Sequence, residues 1–458
     1  MTYQSRDPYT ELLVQSFDDH TDAQLEATLE TSHTVFRNDW RSRSYASRAE
    51  IVGRAAALLA ERCSEFAALA TLEMGKLRRE AEGEVDVCVS ILNYYAENAE
   101  SFLGSRTIVT DGAEAYVETA PIGVIFCIEP WNFPFYQLAR VAGPNLMAGN
   151  VLIVKHAPSV PQCALAFEKL FLDAGAPEGV YSNVFLSNDQ AAAAIADARV
   201  AGVALTGSER AGSAVAAEAG KALKKSTMEL GGSDAFIVLD DADIGRAVRL
   251  GVRGRVENAG QVCNAAKRFI LQETIADDFI AGFSAAIAEL IPGDPRDEAT
   301  TLAPLCSEAA LNLVLKQIDS AVAGGARVLV GGKRMDRSGY FLEPTLLADV
   351  SPDNPVFHQE FFAPVAMLFR VPDVDAAVAL ANDSPFGLGG TIMTSDIERA
   401  KEIASRIETG MVSINQAGGS APELPFGGVK NSGYGRELSD LGINEFVNKK
   451  LIRVDSES

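Results

Sequence analysis

Apolar residues recur at helical spacing from Arg48 to Ala70 and again from Val85 to Tyr95, so the first hundred residues read as helices. Gly104 breaks that pattern. From Arg106 to Glu118 a β-rich stretch, Ile108-Val109-Thr110 then Ala115-Tyr116-Val117-Glu118, is divided by Asp111-Gly112, a hairpin signal. Beyond Gly123 the rhythm becomes apolar strand, turn, helix, with strands expected over 123–128, 151–154, 180–185 and 202–205. That alternation predicts a parallel sheet with crossover helices. It resumes after Gly231-Gly232 with Ala235-Phe236-Ile237-Val238-Leu239, which implies a second α/β domain.

Length and charge narrow the class. A chain of 458 residues exceeds what one hydrophobic core serves, so two or three domains are expected. Asp plus Glu number 62 against 40 Lys plus Arg, a net charge of −22, which disfavours nucleic acid or an anionic membrane as partner. An anionic substrate then has to be met by a local cation. The first residues lack a signal peptide's apolar segment, and no apolar run approaches the ~18 residues of a membrane span. Six cysteines without paired spacing exclude a disulfide scaffold or zinc module and fit the cytoplasm, and four histidines do not suit a metal centre.

Candidate chemistry lies in three short segments: Pro130-Trp131-Asn132-Phe133-Pro134, Met228-Glu229-Leu230-Gly231-Gly232 and Gly260-Gln261-Val262-Cys263. A thiol, a carboxylate and a carboxamide supply what thioester-forming aldehyde oxidation needs: a soft nucleophile, a base for water and a neutral oxyanion donor. A lone cysteine is by default a small buried hydrophobe. The polar turn Asn258-Ala259-Gly260-Gln261 and the helical stretch expected after it instead place Cys263 at a helix start, where a thiolate is favoured. Glu229 reads either as a loop carboxylate or, beside Met228 and Leu230, as a base of raised pKa. Asn132 follows the 123–128 strand, where parallel sheets bind ligands, although turn asparagines are common. Gly207, Ser208 and Gly212 end a strand and open a helix, as a dinucleotide requires, without the Gly-x-Gly-x-x-Gly spacing. Lys155 ends another strand, placed to meet a ribose or phosphate.

Together with Glu360-Phe361-Phe362-Ala363-Pro364 and Pro425-Phe426-Gly427-Gly428, these segments resemble the NAD(P)-dependent aldehyde dehydrogenase superfamily from about Thr21 to Phe446. The resemblance implies that family's α/β fold, with a Rossmann-like dinucleotide-binding domain (1–104 and 122–230), an α/β catalytic domain (231–430) and a small β oligomerisation element, with 105–121 and 431–458 as oligomerisation or bridging segments. It implies Cys263 as nucleophile, Glu229 as base for the deacylating water and Asn132 as oxyanion donor. NAD or NADP would be held by Trp131, Lys155, Gly207, Ser208, Gly212, Leu230, Glu360 and Phe362. Leu72-Glu73-Met74-Gly75-Lys76 and Lys155-His156-Ala157-Pro158 look like bacterial NAD(P)-dependent succinate-semialdehyde dehydrogenases, which makes Arg140 the matching cation for a distal carboxylate. At its spacing from Asn132, Arg140 falls on the helix face expected to line the substrate tunnel.

Two departures leave choices open. Glu257 stands where some semialdehyde enzymes carry a second arginine, so glutarate semialdehyde or a neutral aldehyde stays beside succinate semialdehyde. Pro158 replaces a carboxylate that grips the adenosine ribose in NAD-preferring relatives, so both dinucleotides are expected. A cofactor-independent thiol hydrolase is the alternative class. A homodimer or homotetramer is expected from the strand-like 106–118 and 449–454 segments.

Overall fold

A computed structural model describes residues 3–110 and 113–455. Its framework is two sheets flanked by helices. The first has six strands in the order Gly433–Tyr434, Lys225–Glu229, Val200–Thr206, Val124–Glu129, Val151–His156, Tyr181–Asn183, parallel except for the first pair. Chain order runs outward in both directions from Val124–Glu129, so the sheet has a switch point between Val124–Glu129 and Val200–Thr206. A crevice opens there beyond the carboxyl ends of the two strands, and Pro130-Trp131-Asn132 and Gly207-Ser208 emerge into it. Near-continuous burial of Val124–Glu129 and Val151–His156 fits strands covered on both faces.

The second sheet has seven strands: Arg327–Val330, Thr345–Ala348, Val365–Val371, Ala266–Gln272, Asp234–Val238, Gly390–Met393 and Ser413–Ile414, again parallel but for the first pair. A third, antiparallel sheet joins Val447–Asp455, Ala113–Pro121 and Arg106–Ile108. The Asp111-Gly112 hairpin signal lies outside the described residues. Among the described residues no helix is long and apolar enough to cross a membrane.

Local readings need correction in two places. Residues 3–17 form an antiparallel hairpin, Tyr3–Arg6 with Leu13–Phe17, ahead of the first helix. The helical run from Arg48 is two helices, Tyr45–Glu61 and Cys63–Met74, separated at Arg62, whose guanidinium binds Glu65 and Asp173. The expected oligomerisation or bridging segment 431–458 touches both the first sheet and the small one. Gly433–Tyr434 pairs with the strand ending at Glu229, and Phe446 packs so closely on Gly202 that a Cβ there would come within 2.8 Å of its ring. Only Val447–Asp455 joins the small sheet.

Candidate active site

Cys263 is not at a helix start. It sits in a turn between the helix Ile244–Val256 and the strand Ala266–Gln272, and a strand rather than a helix follows it. The approach to the turn is a run of left-handed residues, Asn258 at φ 53°, Ala259 at φ 53° and Gly260 at φ 74°. Side-chain residues in this region each cost roughly 1–2 kcal/mol, so neighbours must hold them. Asn258 Nδ2 donates to the carbonyls of Asn132 (2.8 Å) and Gln261 (3.2 Å), Gln261 Nε2 donates to the Asn258 carbonyl (3.0 Å), and buried Arg255 donates to the carbonyls of Gly260 (2.6 Å) and Ala266 (3.0 Å). Gly260 is required by close approach as well, because a Cβ would fall 2.4 Å from the Ala363 backbone.

The same turn holds Asn132, whose Nδ2 donates to the Gln261 carbonyl at 3.1 Å. The Asn132 loop is pinned from below by His156. Its Nε2 lies 2.8 Å from the Pro134 carbonyl, and its Nδ1 lies 3.1 Å from the Glu129 carbonyl and 3.0 Å from the Ala157 N–H, so the ring ties the Asn132 loop to the two strand ends beneath it. Burial moves His156 down to about 4, which keeps the ring neutral.

Two cavities meet at Cys263. The larger, about 490 Å³, is lined by Trp131, Asn132, Gly207, Ser208, Leu230, Glu360 and Phe362 among others. Ser208 caps the helix Glu209–Lys221 there, an N-terminus that suits a phosphate. Trp131 and Phe362 meet edge to face at 5.8 Å, and Glu360 offers a carboxylate. These are the features a pyridine dinucleotide needs. Gly212 and Lys155 are not on this wall. Gly212 is needed for packing, since a Cβ would meet Leu230 at 2.6 Å, and Lys155 Nζ stands 5.8 Å over the Tyr3 ring.

The second cavity, about 400 Å³, is lined by Phe133, Tyr136, Gln137, Ser420 and Phe426, with Arg79, Glu80, Arg253 and Glu257 also on its wall. Arg140 does not line it, contrary to the sequence reading. The guanidinium is buried behind two of the lining rings, 5.0 Å from Tyr136 and 4.8 Å from Phe426, where it pairs with Glu437 and donates to Thr206 Oγ1 at 3.0 Å. It reaches the cavity only through Tyr136, whose hydroxyl accepts from Nη1 at 3.5 Å and donates to Ser420 Oγ at 2.8 Å.

Glu229 ends its strand with both carboxylate oxygens buried and without a hydrogen-bond partner. It lies behind the cavity walls, against Gly427, where a Cβ would come 2.5 Å from Oε1. Burial, then the charge of Glu437, holds its pKa well above the carboxylate range, opposed by Arg140. Three charged side chains around the site belong to none of the catalytic roles read from the sequence: Glu129, Glu437 and Lys267. Gly435-Arg436-Glu437-Leu438 and the Lys267-Arg268 pair opening an apolar strand were the available signals.

The Cys263 thiol is pushed up to about 11. Burial of the sulfur is the first cause, with Arg140 and Lys267 opposing it and Glu360 and Glu229 adding to it. The thiolate is the reactive form, so alkylation of Cys263 by iodoacetamide in the free enzyme should keep rising with pH through 8 to 10. A plateau below pH 8, read from the Cys263 peptide by mass spectrometry, would contradict this environment.

Residues 1–452 match the model of the Aldehyde dehydrogenase family. The succinate-semialdehyde dehydrogenase [NADP(+)] of Deinococcus radiodurans is 49% identical over 446 residues, 97% of this chain and 93% of its own. A solved structure giving insight into cofactor and substrate selection by Gox0499 superposes with TM-score 0.98 at 57% identity, covering 99% of this chain and 100% of that one. The succinic semialdehyde dehydrogenase of Streptococcus pyogenes, solved with NADP+ as the cofactor, gives TM-score 0.97 at 46% identity over 98% and 99% of the two chains.

Proposed function

The chain belongs to the aldehyde dehydrogenase family, and from that premise we propose that it oxidises succinate semialdehyde to succinate with NADP+, accepting NAD+ as well. The observation that carries this reading is the position of Cys263 on the shared wall of two cavities, one built for a dinucleotide and one for a small substrate.

In this reading the larger cavity would take the dinucleotide, with Ser208 and its helix end to hold a phosphate, Glu360 a ribose, and Phe362 and Trp131 the nicotinamide. Gly207 and Leu230 would shape the same wall. When bound, NADP+ accepts the hydride that leaves the substrate carbon. The aldehyde enters from the second cavity, its distal carboxylate accepting from the Ser420 hydroxyl, which Tyr136 holds in place with Arg140 behind it.

Cys263 Sγ, once deprotonated, bonds to the aldehyde carbon, and the former carbonyl oxygen becomes an oxyanion. Asn132 Nδ2 and the Cys263 N–H donate to it. A missing donor of this kind costs about 3 kcal/mol. Loss of hydride leaves a thioester. Glu229, rotated from its recess beside Gly427, takes a proton from water, the hydroxide adds to the thioester carbon, and the carbon–sulfur bond breaks to give succinate and the Cys263 thiolate. Leaving the carboxyl unpartnered and of raised pKa supports this role, since nothing holds its proton affinity down except Arg140 and Arg436.

The three-stranded sheet ends in the largely exposed strand Val447–Asp455, whose outer edge pairs with no other strand among the described residues, which supports pairing between copies as a homodimer or homotetramer. A substrate panel tests the reading: succinate semialdehyde, glutarate semialdehyde and butanal, each with NADP+ and NAD+. Loss of the hydrogen bonds to the carboxylate should reduce kcat/KM for butanal about tenfold or more below that for succinate semialdehyde. Equal values for the two would remove the substrate assignment.

A further inference from the structure

Lys267, second residue of the strand that follows the Cys263 turn, has a fully buried ammonium. All three of its hydrogen-bond or ion-pair partners belong to the site. Nζ donates to the carbonyls of Val262 (2.9 Å) and Cys263 (2.6 Å) and pairs with Glu360 Oε1 at 2.8 Å. The same Oε1 accepts from the Gly232 N–H at 3.2 Å. Glu360 Oε2 lies over Gly231, so close that a Cβ there would be 2.3 Å away. One oxygen of this carboxylate is therefore held by protein while the residue faces the larger cavity.

Burying an ammonium costs several kcal/mol unless it is well paired, and an apolar side chain of similar size would fill the space at less cost. General packing does not explain the choice. The partners do, because they are the nucleophile's own turn and the carboxylate that faces the dinucleotide cavity.

We propose that Lys267 is a positioning residue that ties the Cys263 turn to Glu360, so that the nicotinamide end of the dinucleotide and the sulfur keep one relative position. The proposal rests on the reading of Glu360 as the ribose ligand. Without the ammonium, Glu360 loses its fixed oxygen and is free to turn, and the Cys263 carbonyl loses a donor that orients the turn. The sulfur also loses one of its two cations, leaving Arg140, Glu229 and Glu360 as the charges that face it.

The test uses the full chain with Lys267→Met, Lys267→Arg, Glu360→Gln and the double variant Lys267→Met/Glu360→Gln, which removes the orphaned carboxylate charge if the Lys267→Met variant folds poorly. Binding of NADP+ is compared with binding of 2′,5′-ADP, which has no nicotinamide ribose, and Cys263 alkylation by iodoacetamide is followed against pH. Lys267→Met should weaken NADP+ by about tenfold or more and leave 2′,5′-ADP unchanged. It should also move the alkylation midpoint to higher pH, with Lys267→Arg recovering part of both effects. In the double variant the loss of NADP+ affinity should be less than the sum of the single losses, since both act through one contact. Equal weakening of both ligands with an unmoved alkylation midpoint, or NADP+ binding like that of the parent, would overturn the proposal. Failure of the parent protein to bind NADP+ would instead sink the reading of the cavity.

Discussion

Replacing Cys263 with alanine should abolish aldehyde-dependent reduction of NADP+, by on the order of 10⁴-fold or more in kcat. No neighbouring group can take over. Of the other five cysteines, Cys88, Cys127 and Cys163 are buried in one hydrophobic cluster, and Cys63 and Cys306, the latter held near the turn through its N–H to Gln261 Oε1 at 2.9 Å, line neither cavity. The variant should still bind NADP+, because the cavity wall loses one sulfur and none of its hydrogen-bonding groups. Absorbance at about 340 nm reads the activity, and fluorescence titration reads the binding. Turnover within tenfold of the parent would remove Cys263 from the mechanism.

Glu229→Gln should separate the two halves of the reaction. Glutamine keeps the shape of the recess beside Gly427 but cannot take a proton from water. Acylation should therefore proceed and deacylation stall, giving a burst near one equivalent of reduced cofactor per site followed by a steady rate lower by about 10²–10⁴-fold. The pH profile carries a matching sign. A carboxyl whose pKa is raised by burial and by Glu437 takes up its proton at a higher pH than an ordinary carboxylate, so hydrolysis in the parent should fall as pH drops, and at a pH above the usual carboxylate range. In Glu229→Gln that limb should vanish. A variant with no burst and a parent-like pH limb would place the base elsewhere.

Much of this was legible because the signals are local. The apolar runs before Pro130 and Gly207 mark strands, and the ends of neighbouring strands at a switch point are where a parallel sheet leaves its crevice. Ordering Asn132, Glu229 and Cys263 along the chain needed only their short motifs. What was not legible depended on distant partners. Ala265-Ala266-Lys267-Arg268 is made of good helix formers, yet pairing with Asp234–Val238 on one side and Val365–Val371 on the other draws the segment into a strand. Arg140 sits at the expected helical spacing, but Glu437 claims its charge and Tyr136 and Phe426 close over it. The hairpin at Tyr3–Phe17 was missed because Leu13–Phe17 is exposed along nearly its whole length and leaves no alternation to read.

The central claim is that the substrate's acyl group passes through the sulfur of Cys263. Glu229→Gln, mixed with succinate semialdehyde and NADP+ and quenched in acid during the burst, should carry one succinyl group per chain, and peptide mass spectrometry should find it on Cys263. A burst of reduced cofactor with no acyl adduct, or an adduct on any other residue, would contradict the account.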